Sequence, residues 1–378
     1  MQSLPTRRPT WTEIDLGRLA DNFRSIKAFC GEDIEYMAVI KADAYGHGAV
    51  ECGKRLQAEG ADWFGVACLE EAIELRQAGI SRPILVFGGI WPGQELSFLN
   101  FDVTPVVFTL DQAETLSQAC ALVNKSVDIH VKVDSGMNRV GFRPEEAERI
   151  ACKLAELPHL RVAGLMTHFA AADKLEESEF TNRQISTFAS SVDHFLAAGH
   201  RPEIVDLANS PGAVVYPHSR SKMVRIGGLL FGVTDDVLPK GIDRPAVKPV
   251  MSIYTKIAML KTVPKGETIV YGRTFTAGRD SKIATVPIGY NDGYDRALSN
   301  KGEVIVRGRP APVAGRISMD WVTVDVTDVP NVEVGDQVTV LGSDGESRVT
   351  AEDIAQWIDT ISYEITCGIS QRVPRIYK

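Results

Sequence analysis

The chain has 378 residues, 44% of them hydrophobic and 24% charged, and 41 Lys+Arg against 49 Asp+Glu give a formal net charge of -8. With no long basic run, this composition argues against nucleic acid or anionic lipid as a partner and fits a soluble metabolic protein large enough for two domains, or one large barrel with an appendage. MQSLPTRRPTWTEID at the N-terminus has no apolar h-region after its basic residues, and nothing approaches the roughly 18 uninterrupted apolar residues of a membrane span, so a cytoplasmic location is expected.

From residue 11 to about 235, short apolar segments alternate with amphipathic helical patterns. The spacing predicts strands over Tyr36 to Ile40, Trp63 to Ala67, Ile84 to Phe87, Thr104 to Phe108, Asp128 to Val133, Val162 to Thr167, Ile204 to Leu207 and Met223 to Ile226. Among the helical patterns, LEEAIELRQAGI carries Leu69, Ile73 and Leu75 at helical spacing and Gly79 as its stop, and Pro144 opens RPEEAERIACKLAEL at a first-turn position. Such alternation means parallel strands with crossover helices. Eight units of this size predict a TIM (β/α)8 barrel, favoured over an open doubly wound sheet because no G-x-G-x-x-G opens a helix.

After residue 242 the pattern becomes strand-like alternation broken by Gly, Pro and Asn/Asp turns: MSIYTKIAMLKTV, KIATVPIGY, GEVIVRGRPAPVAGRI, WVTVDVTDV and GDQVTVLGS. The expected organisation is a barrel over 1–242 and a mostly antiparallel β domain over 243–378, with the first ten or so residues pairing with the β domain. Six cysteines (Cys30, Cys52, Cys68, Cys120, Cys152, Cys367) show no C-x-x-C spacing or Cys/His pairing, so no metal site or disulfide framework is expected. They are read as small core hydrophobes.

The apolar run EYMAVI ends on Lys41. At the C-terminal end of a barrel strand a lysine faces the catalytic mouth, where burial can free its amine to act as a nucleophile. The plainer alternative is a strand-end lysine whose stem lies on apolar surface while its head stays in water. Tyr45, followed by Gly46 and Gly48, places a phenol beside backbone that can approach a phosphate closely. Other segments are ambiguous by themselves: YNDGY around Tyr290 suits a hairpin turn, ANS before a proline suits a helix cap, and His168 suits a structural histidine as well as an acid-base group.

AVIKADAYGHGA is similar to the cofactor-lysine motif of the alanine racemase family, pyridoxal 5'-phosphate enzymes built from a TIM barrel and a β domain. HVKVDSGMNRVGF, GLMTHFAAAD, IGYNDGYDR, GRISMD and a closing TISYEITCGISQRVPRIY follow in the family's order, so the resemblance runs from Trp11 to Tyr377. It implies that Lys41 holds the cofactor covalently and then moves a proton at Cα, and that Tyr290, contributed by the other subunit of a homodimer, is the base on the opposite face. Two bases are needed because one would return the original hand. His168 resembles the partner that helps a phenol, whose ordinary pKa is near 10, act as a base. Arg225 resembles the arginine facing the pyridine nitrogen. Arginine only donates hydrogen bonds, so the ring stays unprotonated and is a weaker electron sink than one facing a carboxylate.

By the same resemblance, the cofactor phosphate is held by Tyr45, Ser210, Gly227, Gly228 and Tyr363. Arg139 lies near the cofactor's phenolic oxygen and the substrate carboxylate, Met319 gives that carboxylate a backbone donor, and Lys132 occupies a position that is carbamylated in many members. Asp173, Arg316, Asp320 and Ile361 line the access channel. The implied activity is interconversion of L- and D-alanine, supplying D-alanine for peptidoglycan in a bacterium. Racemases acting on serine or lysine are the main rival, because a pocket distinguishes one methylene by only about 1–3 kcal/mol. A decarboxylase of the same architecture would call for an acidic residue where Arg225 stands, and a non-catalytic cofactor-handling barrel would lack the β domain.

Overall fold

The computed structural model describes residues 8–378. A first strand, β1 (Trp11–Ile14), precedes the eight that close into a barrel: β2 (Glu35–Val39), β3 (Trp63–Val66), β4 (Ile84–Val86), β5 (Thr104–Val107), β6 (Val127–Lys132), β7 (Leu160–Met166), β8 (Ile204–Asp206) and β9 (Met223–Ile226). Every neighbouring pair is parallel, and β9 returns to β2 in the register Glu35↔Met223 to Ala38↔Ile226. The predicted TIM barrel is therefore the observed one. Short β-branched and apolar runs form its strands because both faces are covered. Gly79, at φ +91°, ends the helix Leu69–Gln77, and Pro144 opens a 3₁₀ turn that leads into the helix Ala147–Ala155.

Met37, Leu85, Val106, Met166, Ile204 and Met223 form one buried cluster from six barrel strands, with Trp63, Phe87 and Phe108 packed against it. Gly65 makes room for Phe87 and Gly164 for His130, since a Cβ at either would collide with the ring. This packing makes the barrel a filled core whose chemistry is confined to its C-terminal end.

The remaining strands are β10 (Met251–Lys256), β11 (Met259–Val263), β12 (Thr268–Ile269), β13 (Phe275–Thr276), β14 (Ser281–Val286), β15 (Glu303–Val306), β16 (Arg309–Pro312), β17 (Val322–Asp325), β18 (Gln337–Asp344), β19 (Ser347–Val349) and β20 (Arg375–Tyr377). One sheet runs β16-β15-β18-β10-β1-β20 with β19 on β18, and a second runs β11-β14-β17. Pairing is antiparallel except for β1 with β20. By contacts the chain forms two compact units. One holds Leu19–Ala44 and Ala49–Val247; the other holds the described residues up to Arg18, Tyr45–Gly48 and Lys248–Lys378.

Of the first ten residues expected to pair with the β domain, 1–7 lie outside the described residues. Thr10 donates to Pro287 O (2.6 Å), and its hydroxyl also bonds Thr255 Oγ1 (2.9 Å). The cysteine reading needs correction. Cys30, Cys52 and Cys120 are buried, but Cys68 is half-buried and Cys152 and Cys367 are exposed; all six are free thiols. Cys152 falls off the buried stripe Ala147, Ile150, Ala151, Leu154 of its helix, a distinction that an apolar residue type alone does not make.

His130, on β6, has both ring nitrogens buried without a hydrogen-bond partner among the described residues and lies 5.3 Å from the Trp63 ring. Burial pushes its pKa down to about 3. The unfolded chain takes up this proton below about pH 6.5 whereas the folded chain does not until about pH 3, so stability falls as pH drops through that window. His130 should cost about 2 kcal/mol between pH 7.5 and 5, and His130→Phe should remove that part of the loss. Denaturant midpoints of both proteins at the two pH values test this; equal losses would rule it out.

Candidate active site

Beyond β2, Ile40 donates to Gly65 O (2.9 Å) and Lys41 follows. The backbone then coils left-handed: Ala42, Asp43, Ala44 and Tyr45 have φ of 53–54°. Each L-residue in such a turn costs roughly 1–2 kcal/mol, so neighbouring groups must hold it. Glu71 does so with both carboxylate oxygens, accepting from Ala42 N–H and Ala67 N–H at 2.7 Å each. Asp43 accepts from Ala49 N–H at 2.7 Å, where the helix Ala49–Ala58 starts, and Ala44 donates back to Ile40 O. Lys41 therefore projects from a backbone pinned on both sides.

On β9, Arg225 is almost fully buried. Its Nη1 donates to Asp206 at the end of β8, and its Nη2 donates to Thr167 O (2.9 Å) and Leu207 O (3.2 Å) and lies 3.0 Å from His168 Nδ1. A guanidinium only donates, so Nδ1 is the acceptor and the His168 proton sits on Nε2. Burial first, then Arg225 and the other cations Lys132, Arg139 and Lys41, hold His168 well below its ordinary pKa. Lys132 is likewise held well below the usual lysine range, first by burial and then by Arg225.

Gly227 N–H donates to Ser210 Oγ (3.0 Å), leaving the hydroxyl proton free to be given elsewhere. Asn209 is the helix cap in this segment, accepting from Gly212 N–H (3.0 Å), so capping and the buried hydroxyl belong to adjacent residues. Gly228 opens a 3₁₀ turn through Phe231, whose first N–H groups point out of its N-terminal end. Arg139 is exposed on a loop whose base is closed by Phe142 N–H to Lys132 O and Asp134 N–H to Phe142 O, both 2.9 Å. Gln184, absent from every motif, donates to His168 O (3.1 Å) and accepts from Ala170 N–H (3.0 Å), fixing the segment between His168 and Asp173.

In the β unit, the Tyr45 and Tyr363 rings stack with centroids 5.4 Å apart. Gly46 and Gly48 have positive φ, and a Cβ on either would collide with Thr366 O or the Tyr377 hydroxyl. The IGYNDGYDR and GRISMD segments also meet there: Tyr290 N–H donates to Ser318 O and Asn291 N–H to Met319 O, both 3.1 Å. Tyr290 opens a 3₁₀ turn closed by Gly293, so the hairpin reading fails. Its position is fixed by Asp292, a buried carboxylate that accepts from Arg8 (2.8 Å) and Gly289 N–H (3.0 Å). Arg372 pairs with both Asp292 and Asp320.

Met319 and Ile361 are half exposed, and Arg316 flanks a further turn that the motifs do not mark. That turn carries Tyr271, which is 72% exposed against 40% for Tyr290. Val270 stands at φ 53°, ψ -169°, a region almost reserved for glycine, and Arg273 at φ 52°. Strain that presents an exposed phenol was the available signal, and it is visible only in three dimensions.

An eight-stranded parallel barrel that carries a lysine and a buried guanidinium at the C-terminal ends of adjacent strands has the architecture of a barrel enzyme. Comparison with known proteins narrows this class. The family models for the alanine racemase N-terminal and C-terminal domains match residues 14–235 and 250–377. Alanine racemases of Geobacter sulfurreducens and Halothermothrix orenii are each 44% identical, over 98% of this chain and 97% of theirs. The solved alanine racemase of Clostridium difficile 630 superposes with TM-score 0.91 at 38% identity, over 100% of this chain and 96% of that one. That of Bacillus anthracis gives 0.92 at 36%, over 99% and 96%. The chain belongs to the alanine racemase family.

Ala42 is exposed in its left-handed conformation, where glycine carries no Cβ penalty. Ala42→Gly should raise stability by about 0.5–1 kcal/mol after glycine's extra unfolded-state entropy is subtracted. Glu71→Ala should lower it by about 2 kcal/mol by orphaning two N–H groups. Urea midpoints of the two variants check both signs.

Proposed function

We infer that this protein is an alanine racemase that uses pyridoxal 5'-phosphate and two opposed bases to interconvert L- and D-alanine, as a cytoplasmic homodimer supplying D-alanine for peptidoglycan. The observation that carries the reading is the placement of Lys41 and Arg225 at the same end of the adjacent strands β2 and β9, where Met37 registers with Arg225. The residues fit the cofactor. Arg225 commits both terminal nitrogens to protein acceptors and leaves Nε–H without a hydrogen-bond partner among the described residues. Ser210 has a hydroxyl proton to give, the turn at Gly228 offers backbone N–H groups, and by the resemblance Tyr45 and Tyr363 complete the phosphate contacts.

When bound, pyridoxal phosphate supplies the conjugated ring that makes the Cα–H bond of an amino acid acidic. The chain's own groups decide where the proton goes. Lys41, on its pinned backbone, holds and moves the proton on one face of Cα. His168, with its proton on Nε2, donates a hydrogen bond to a phenol entering from the other face and favours the phenolate. Arg225 gives the ring nitrogen a hydrogen bond without a transferable proton, which keeps the proton traffic at Cα. Arg139, and the Met319 backbone contributed by the second copy of the chain, orient the substrate carboxylate. A neutral amine is the form that combines with carbon dioxide, burial favours that form at Lys132, and a carbamate there would anchor Arg139. Asp173, Arg316, Asp320 and Ile361 line the approach.

For the opposite-face base, the motif resemblance supports Tyr290. Exposure and backbone strain favour Tyr271, because a group serving a partner's site must protrude from its own subunit, while the turn of Tyr290 is tied backbone to backbone against Ser318 and Met319. The exposed Tyr271, Met319, Trp321 and Val270 support a second copy of this chain as the partner that covers them. Six free cysteines suit a reducing compartment.

Chiral chromatography after incubating the cofactor-loaded protein with L-alanine, L-serine or L-lysine tests the function. Alanine alone should reach an equal mixture of hands; comparable turnover of serine or lysine would overturn the substrate assignment. Tyr271→Phe should lower turnover by about 10²–10⁴-fold, the usual worth of a general base, and Tyr290→Phe by much less. The reverse result would return the role to Tyr290. Dimers mixed from Lys41→Ala and the inactive tyrosine variant should recover about one working site per heterodimer after exchange.

A further inference from the structure

Behind Arg225 lies a carboxylate that no motif marks. Asp206 is fully buried; its Oδ1 accepts from Arg225 Nη1, and its Oδ2 has no hydrogen-bond partner among the described residues. It registers with Met166 on β7, which registers with Lys132 on β6, so Asp206 and Lys132 share one level of the barrel. Burial raises the Asp206 pKa, opposed by Arg225 and by Lys132. A carboxylate at this depth needs its cation, and its second oxygen is left unpaired.

We propose that Asp206 is a positioning residue for the reaction: it aims the Arg225 guanidinium so that Nη2 meets His168 and Nε–H faces the mouth, and it cancels the guanidinium charge felt there. The inference rests on the assignment of Arg225 to the cofactor's ring nitrogen. A bare guanidinium would both donate a hydrogen bond and impose a positive field, drawing negative charge from Cα into the ring. Paired with Asp206, it donates while contributing little net field. The carboxylate thus works with the arginine to keep charge, and the returning proton, at Cα. An Asp206 that only tied β8 to β9 would change stability and nothing else.

Asp206→Asn keeps the shape and one acceptor oxygen while removing the charge. In the holoenzyme, we expect it to raise by several-fold the pyruvate formed per racemisation turnover, the amino group passing to the cofactor as alanine becomes pyruvate. We also expect a displaced pH midpoint of the cofactor's visible absorption. In cofactor-free protein, nitrogen NMR of His168 should show Nε2–H in the parent, and in Asp206→Ala a mixture of the two ring tautomers because the Arg225 donor is no longer aimed at Nδ1, with added formate restoring the parent behaviour. Folded Asp206→Asn matching the parent in pyruvate yield and absorption midpoint, or an Asp206→Ala His168 signal identical to the parent's, overturns the proposal. A parent that binds no pyridoxal phosphate would defeat the functional reading instead, and the His168 signal would still decide whether Asp206 aims Arg225.

Discussion

Closure of the barrel between its last and first strands is the constraint on which the site depends. The β9–β2 pairing sets Arg225 in register with Met37, and the two strands end together in Lys41 on one side and Gly227 and Gly228 on the other. Parallel strands all present their C-terminal ends at one mouth, so residues far apart in sequence, Lys41, Lys132, His168, Asp206 and Arg225, gather without any loop having to reach for them. The filled interior beneath, from Trp63 and His130 to Met166, gives those side chains a floor that excludes water. Burial there is the first cause that holds Lys132 and His168 well below their ordinary pKa ranges.

The local fold was legible because strand period, helix spacing and turn residues agree with one another. The alternating pattern up to residue 235 marks the barrel, and the five ordered motifs carry the family assignment. Division of the chain was less legible. Tyr45–Gly48 belongs by contacts with the β unit although barrel sequence flanks it on both sides, because Gly46 and Gly48 let it lie against the Thr366 and Tyr377 segment. Packing between remote segments has no signature in a linear pattern.

The same limit applies to the groups that support the site. Glu71, Gln184, Asp206 and Asp292 sit on a helix face, another helix face, a strand end and a turn, and each is an ordinary polar residue in its own neighbourhood of sequence. Their importance comes from what they accept or donate across 16 to 284 positions of chain, as with Gln184 to His168 and Arg8 to Asp292. A motif records the side chains that touch the reacting atoms; the carboxylates and amides that aim them are recoverable only from the fold. This is why a motif could single out Arg225 while its buried counterion Asp206 went unmarked.

Strain marks the same places from another direction. Ala42 through Tyr45 could have been glycines if the chain needed only to turn, and Val270 stands in a backbone region where glycine would be almost free. Side chains kept in costly conformations must be repaid by contacts that the conformation makes possible. Around Lys41 the repayment is identifiable: the two oxygens of Glu71, the Asp43 cap and the buried Ala44 methyl. Around Tyr271 the described residues supply fewer such bonds, from Arg273 to Thr268 and Val270, and the phenol remains mostly in solvent. Strain little compensated within one subunit, on a turn that holds a phenol outward, is the pattern expected where the compensating contacts come from a second copy of the chain.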